Sequence, residues 1–171
     1  MRKEREYQKA LYEEYASEMF ALCLRYMENR EEAEDILQDT FLKVFSKPES
    51  FRNVRNLRAW LRQVFVNNIL NVLKARKIFV PLDEETVYGT DDKEVFDAKP
   101  SEYSIKDLLS ALKILKKEER IVFNMNELEN ISFKEMEKIL NKKSSTLRSI
   151  SRRAKIKMSN YLKEMEKKNY E

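Results

Sequence analysis

One glycine, Gly89, stands in a chain of 171 residues, beside three prolines at positions 48, 81 and 100. Tight turns between β-strands draw on residues that tolerate positive φ, glycine first among them. One such residue cannot serve a sheet of several strands, while helix-favouring Glu, Lys, Leu, Met and Arg are plentiful. The expected fold is therefore all-α. The same scarcity removes glycine-rich phosphate loops, of the P-loop and dinucleotide kinds alike, because these need several glycines at fixed spacing. The sequence has no histidine and one cysteine, so Ser-His-Asp and Cys-His nucleophilic sites and the usual His/Cys zinc sites cannot be assembled. No catalytic residue, cofactor or metal ligand is expected, and only chemistry by carboxylates alone stays open.

The net charge of +4 conceals strong segregation. Residues 1–49 hold 8 basic and 12 acidic residues; 50–80 hold 7 basic and none acidic; 81–104 hold 2 and 8; 105–171 hold 17 and 10. Two basic blocks divided by an acidic one are candidate footprints for a polyanion. The acidic block also holds Gly89 and two of the prolines and lacks helical periodicity, so residues 78–104 read as an acidic linker between two modules, 1–77 and 105–171. Fully extended, that linker reaches roughly 90 Å. Its modules can then occupy sites some 25 base pairs apart at about 3.4 Å per pair. The charged start Met1-Arg2-Lys3-Glu4-Arg5-Glu6 does not resemble a signal peptide, and no apolar run approaches the roughly 20 residues that span a bilayer. A cytoplasmic protein without membrane insertion is expected. Cys23, inside an apolar run, reads as a packed thiol in a reducing compartment.

Leu11, Tyr15, Met19, Leu22 and Tyr26 recur at helical spacing and predict a first helix over about 4–28. Asn29 with Glu32 has the form of a helix cap and opens a second helix, 30–46, which Lys47-Pro48 stops. Its buried face is Ala33, Ile36, Leu37, Thr40, Phe41 and Val44. The opposite face collects Glu31, Asp35, Gln38, Asp39 and an exposed Leu42, which is either a solvated strip or a docking face with an aliphatic anchor in a polar rim. A third helix, 57–77, places Leu57, Trp60, Leu61, Val64 and Val72 on one side, with Val66, Ile69, Leu70 and Leu73 over much of the rest. A narrow stripe of Gln63, Asn67, Asn71 and Lys74 runs between these zones. Amides can pair with base edges and the lysine with phosphate, although such stripes also face solvent or neighbouring helices. Before that helix, Phe51-Arg52-Asn53-Val54-Arg55-Asn56 sets basic and amide residues beside aromatics, as a single-strand site does. Alternatively Phe51 plugs the bundle and Trp60 is core.

In the second module, Leu108, Leu112 and Leu115 start one helix, and Ile121, Val122, Met125 and Leu128 mark another. Ser132-Phe133-Lys134-Glu135 is a capping box with Ile131 and Met136 as its staple, predicting a helix over 133–140. Asn141 can take the left-handed conformation in the turn Asn141-Lys142-Lys143. Ser144 can cap the next helix, whose stripe is Leu147, Ile150, Ala154, Met158, Tyr161 and Met165. Residues 138–163 carry nine Lys/Arg and no acid. Short helix, turn and long basic helix describe a helix-turn-helix, with Lys143, Ser144, Ser145, Thr146, Arg148, Ser149, Arg152, Arg153 and Lys155 as candidate DNA contacts. The alternative is a helical hairpin with a solvated basic face.

The stretch Glu32-Ala33-Glu34-Asp35-Ile36-Leu37-Gln38-Asp39-Thr40-Phe41-Leu42-Lys43-Val44-Phe45, with Leu57-Arg58-Ala59-Trp60-Leu61, resembles region 2 of extracytoplasmic-function sigma factors of bacterial RNA polymerase. Leu115 through Glu127-Leu128-Glu129-Asn130-Ile131-Ser132-Phe133 to Thr146-Leu147-Arg148-Ser149 and Arg153-Ala154-Lys155 resembles their region 4. The resemblance implies that the strip around Leu42 docks on the β′ clamp helices of core RNA polymerase, and that region 4 also touches the β flap. It implies that loop 50–56 and the third helix recognise and open the −10 promoter element, and that helix 144–159 reads the −35 element. An anti-sigma partner and passage of the linker through the RNA-exit path are implied as well. Asn141 replaces a usual glycine, Ile150 a frequent Arg, Ser151 a frequent Leu and Asn71 a frequent Asp. With Val66 and Asn67 also divergent, neither promoter sequence can be borrowed from relatives. The competing reading is a helix-turn-helix regulator that binds duplex DNA without polymerase, its first module serving dimerisation; an enzyme built on clustered carboxylates is the weaker third.

Overall fold

The structure, a computed structural model, describes residues 2–76 and 103–169. The chain divides into two compact units, Met1–Ala75 and Arg76–Glu171. The described residues are helical with connecting turns, as the scarcity of glycine requires. The expected linker, 78–104, lies outside the described residues apart from Tyr103 and Ser104. Those two belong to the second unit: Ser104 caps its first helix by accepting from Asp107 N at 3.1 Å, and the Tyr103 hydroxyl donates to Glu166 at 2.9 Å.

The first unit is a bundle of α1 (Arg2–Tyr26), α2 (Arg30–Phe45) and α3 (Leu57–Ala75), each packed on the other two. Asn29 caps α2 by accepting from Glu32 N at 2.9 Å. The buried face of α2 is Ala33, Ile36, Leu37, Thr40, Phe41 and Val44, the six expected from periodicity. Thr40 is accommodated there because its hydroxyl donates to the Ile36 carbonyl at 2.6 Å and accepts from Asn68 of α3 at 2.8 Å. Phe41 meets Phe65 edge-on at 5.2 Å and Tyr12 at 4.9 Å.

The seam of α3 departs from expectation. Leu61, Phe65, Val66, Ile69, Leu70 and Leu73 are buried, while Leu57, Trp60, Val64 and Val72 are half-buried at its margins. Phe65, absent from the expected face, is the largest side chain in that seam. Burial of one such ring contributes roughly 1.5–3 kcal/mol. Cys23 is buried in α1 and burial pushes its thiol up to about 12, as the packed reading requires.

In the second unit, α4 (Ile105–Leu112), α5 (Lys117–Phe123) and α6 (Phe133–Leu140) pack on the long α7 (Ser144–Asn169). Ala111, Leu112, Leu115, Phe123, Ala154, Met158 and Leu162 form one core cluster. Tyr161 and Met165, predicted on the seam, sit at its edge, and Leu162 between them is buried. A π-helical turn, Asn124–Leu128, follows α5 directly, and nothing in the apolar spacing indicated it. Asn130 after it takes positive φ of 54°.

Candidate functional site

The helix-turn-helix is built by local chemistry. Ser132 Oγ accepts from Glu135 N at 3.2 Å and the Glu135 carboxylate accepts from Ser132 N at 3.0 Å. This reciprocal pair starts α6, and the backbone bond from Ser132 holds the Glu135 carboxyl below its ordinary value. Asn141 ends the helix at φ 53°, ψ 45°, so an asparagine does the work of the turn glycine at small cost. Ser144, expected as the cap of α7, is instead its first residue: Lys143 holds the cap position, and the Ser144 hydroxyl hydrogen-bonds back to Glu137 of α6.

The candidate −35 residues divide by environment. Lys143, Ser145 and Arg148 are exposed; Ser144, Thr146, Ser149, Arg152, Arg153 and Lys155 are half-buried. Ser149 turns its hydroxyl onto the Ser145 carbonyl at 3.2 Å. Arg148 lies over the Phe133 ring, 5.5 Å from its centroid. Lys155 is engaged within the unit, 2.5 Å from Glu127 of the π-helical turn. Lys157 and Glu119 form the next pair at 2.9 Å, with Glu119 buried. Glu119 also accepts from Lys116 N at 3.0 Å, so it both caps α5 and fastens that helix to α7. Ile150 and Ser151 are buried in this unit.

In the first unit, Glu31, Asp35, Gln38, Asp39 and Leu42 are all exposed on the outer face of α2, with Leu42 at 69%. The face is held in register from α3. Asp39 pairs with Lys43 at 2.6 Å, and Lys43 donates to Asn68 at 3.0 Å. Asn68 in turn donates to Thr40, so the network ties the outer strip to the buried face.

Gln63, Asn67, Asn71 and Lys74 are exposed on α3, and Gln63 donates to Asn67 at 2.9 Å. The loop before that helix is less open than its sequence indicates. Phe51 is 1% exposed, stacked on Tyr7 at 5.9 Å and near Trp60 at 6.2 Å. It plugs the bundle, and as it stands it presents no ring to a base. Asn56 caps α3 by accepting from Ala59 N at 3.0 Å, so its amide oxygen is occupied. Arg52 pairs with Glu4 of α1. Asn53 and Arg55 are exposed. Sequence reasoning missed Glu18, which takes both Arg58 at 2.8 Å and Arg62 at 3.4 Å.

Comparison with known proteins fits both units. The family model for sigma-70 region 2 matches residues 11–78. The Bacillus subtilis RNA polymerase sigma factor SigV is 23% identical over 136 residues, covering 80% of this chain and 79% of SigV. YlaC, a sigma factor of the same organism, is 26% identical over 155 residues, with 86% and 87% covered. The sigma factor RpoE of Bartonella quintana, solved with the anti-sigma factor NepR, matches at a TM-score of 0.50 and 20% identity, over 91% of this chain and 96% of RpoE. Residues 11–78 thus carry the sigma-70 region 2 match, and the chain is similar over most of its length to sigma factors, among them one of the extracytoplasmic-function group at 26% identity over 156 residues.

Proposed function

We propose that this protein is a sigma factor that joins core RNA polymerase and directs it to a promoter set. The observation that carries the reading is Leu42: a leucine 69% exposed amid Glu31, Asp35, Gln38 and Asp39 has the form of an anchor in a polar rim. Region 2 is assigned to residues 1–77, the acidic linker to 78–104 and region 4 to 105–171. The strip around Leu42 docks on the β′ clamp and region 4 meets the β flap. Arg52, Asn53, Arg55 and the stripe Gln63, Asn67, Asn71 and Lys74 face the −10 element; the first turns of α7 face the −35 element.

The protein supplies specificity and the polymerase supplies chemistry, so no catalytic activity of its own is assigned. No helix among the described residues is long and apolar enough to cross a membrane, and the proposed place of action is the cytoplasm, on promoter DNA. The RpoE relative was solved with an anti-sigma factor, and control by a partner of that kind is proposed here too.

The test is transcription of a fragmented genomic library by purified core polymerase with and without this protein, with the RNA 5′ ends sequenced. New starts that share two upstream motifs are expected. No new starts, with no association with core, would return the chain to the stand-alone regulator.

A further inference from the structure

Arg30 and Arg148 each rest on a phenylalanine ring. Arg30 lies over Phe20 at 5.2 Å, and its guanidinium is also bound by Glu34 at 2.6 Å. Arg148 lies over Phe133 at 5.5 Å, is exposed, and has no carboxylate partner among the described residues. The first is a closed surface arrangement. The second leaves the charge and the in-plane donors unanswered, although Lys155 and Lys157 on the same helix each have a carboxylate.

Phe133 is well placed to act on Arg148. It is the first residue of α6, fixed by the Ser132–Glu135 capping box, and its carbonyl lies 3.5 Å from the Ser144 hydroxyl at the start of α7. The ring therefore stands on a rigid element, independent of the flexible arginine stem. A guanidinium placed over an aromatic ring keeps the donors along its edge available, and that edge is what pairs bidentately with guanine O6 and N7.

We infer that Phe133 is a positioning residue for promoter reading: its ring holds Arg148 ready to pair with one guanine of the −35 element. The inference rests on the sigma-factor reading above. Phe133 itself touches no base. It narrows the arginine to conformers that reach the groove, so its contribution falls on discrimination at a single base pair and not on affinity for DNA in general.

The experiment uses reconstituted holoenzyme with the full chain and a promoter library randomised through the −35 element, scored by RNA output for wild type, Phe133→Leu, Phe133→Tyr, Arg148→Ala and the double variant Phe133→Leu/Arg148→Ala. Arg148→Ala should flatten guanine preference at one position by roughly tenfold, the scale of a bidentate pair. Phe133→Leu should reduce preference at that same position by about threefold, the scale of an exposed cation–π contact. Phe133→Tyr should keep it, and the double variant should lose no more than Arg148→Ala alone. Loss by Phe133→Leu spread evenly over all positions, no loss in a folded variant, or additive losses in the double variant would each overturn the inference. A wild-type holoenzyme that selects no −35 motif would overturn the sigma reading, and the inference with it.

Discussion

In the first unit, three of the arginines after residue 50 are met at the surface by carboxylates of α1: Glu4 takes Arg52, and Glu18 takes Arg58 and Arg62. In the second, carboxylates of α5 and the π-helical turn take Lys157 and Lys155 along α7, and Glu119 does so from within the core. The two basic blocks look alike as charge counts. Three of the seven basic residues of the first pair with acids of the three-helix bundle, while Arg55 and the stripe Gln63, Asn67, Asn71 and Lys74 stay exposed; in the second, Lys155 and Lys157 are neutralised toward the middle of α7, and Arg148 nearer its start is exposed. A count of Lys and Arg thus overstates each footprint, and the usable part is what internal acids leave over.

This contrast can be broken by substitution. Lys157→Ala strands the buried Glu119 carboxylate and should destabilise the second unit by about 3 kcal/mol, at the low end for breaking a buried pair because the lysine is partly solvated. Amide exchange in α5 and α7 should record that loss while Trp60 fluorescence, confined to the first unit, holds its midpoint; a matching shift in the Trp60 transition would mean that the units do not unfold separately. Leu42→Glu should weaken association with core polymerase by about 2 kcal/mol or more, as loss of a central anchor does, with circular dichroism unchanged. Undiminished core affinity would remove the docking face.

Smaller effects sharpen the same comparison. Arg52→Ala removes a surface pair and should cost the first unit less than about 1 kcal/mol in urea unfolding; a loss as large as that from Lys157→Ala would erase the distinction between the two kinds of pair. The Ser151 hydroxyl is buried without a hydrogen-bond partner among the described residues. Ser151→Ala should therefore be neutral or stabilise the second unit by up to about 1 kcal/mol, and a destabilised variant would show that the hydroxyl has a partner. Finally, the Glu135 carboxyl lies below its ordinary value of 4.5 because Ser132 donates to it. A depressed folded value means that this stabilisation is complete above the unfolded value and is lost as pH falls through the folded one. Amide protection at the start of α6 should hold at neutral pH and decline only below pH 4.5.

What was legible in the sequence was local. The six-residue face of α2, the Ser132–Glu135 box and the left-handed Asn141 each depend on neighbours within one helical turn or on one backbone angle, and each could be read by spacing. Partnerships across the fold were not. Glu18 and Arg58 stand 40 positions apart and Glu119 and Lys157 stand 38 apart, so no window along the chain could pair them. Phe65 was hidden because α3 is apolar over so much of its circumference that period alone does not choose the seam. Phe51 lies in a loop, where no periodicity says whether an aromatic points in or out. The π-helical turn escaped because its residues keep helical composition while changing only the hydrogen-bond register.

The buried Cys23 has a practical consequence. Burial pushes its thiol up to about 12, so at neutral pH it stays protonated, and the sulfur lies beyond the reach of an alkylating dye while α1 stays seated. The chain has no second cysteine. Covalent labelling therefore keeps time for the first unit alone: each tag marks one occasion on which that helix left its place, including while the protein is bound to its partners.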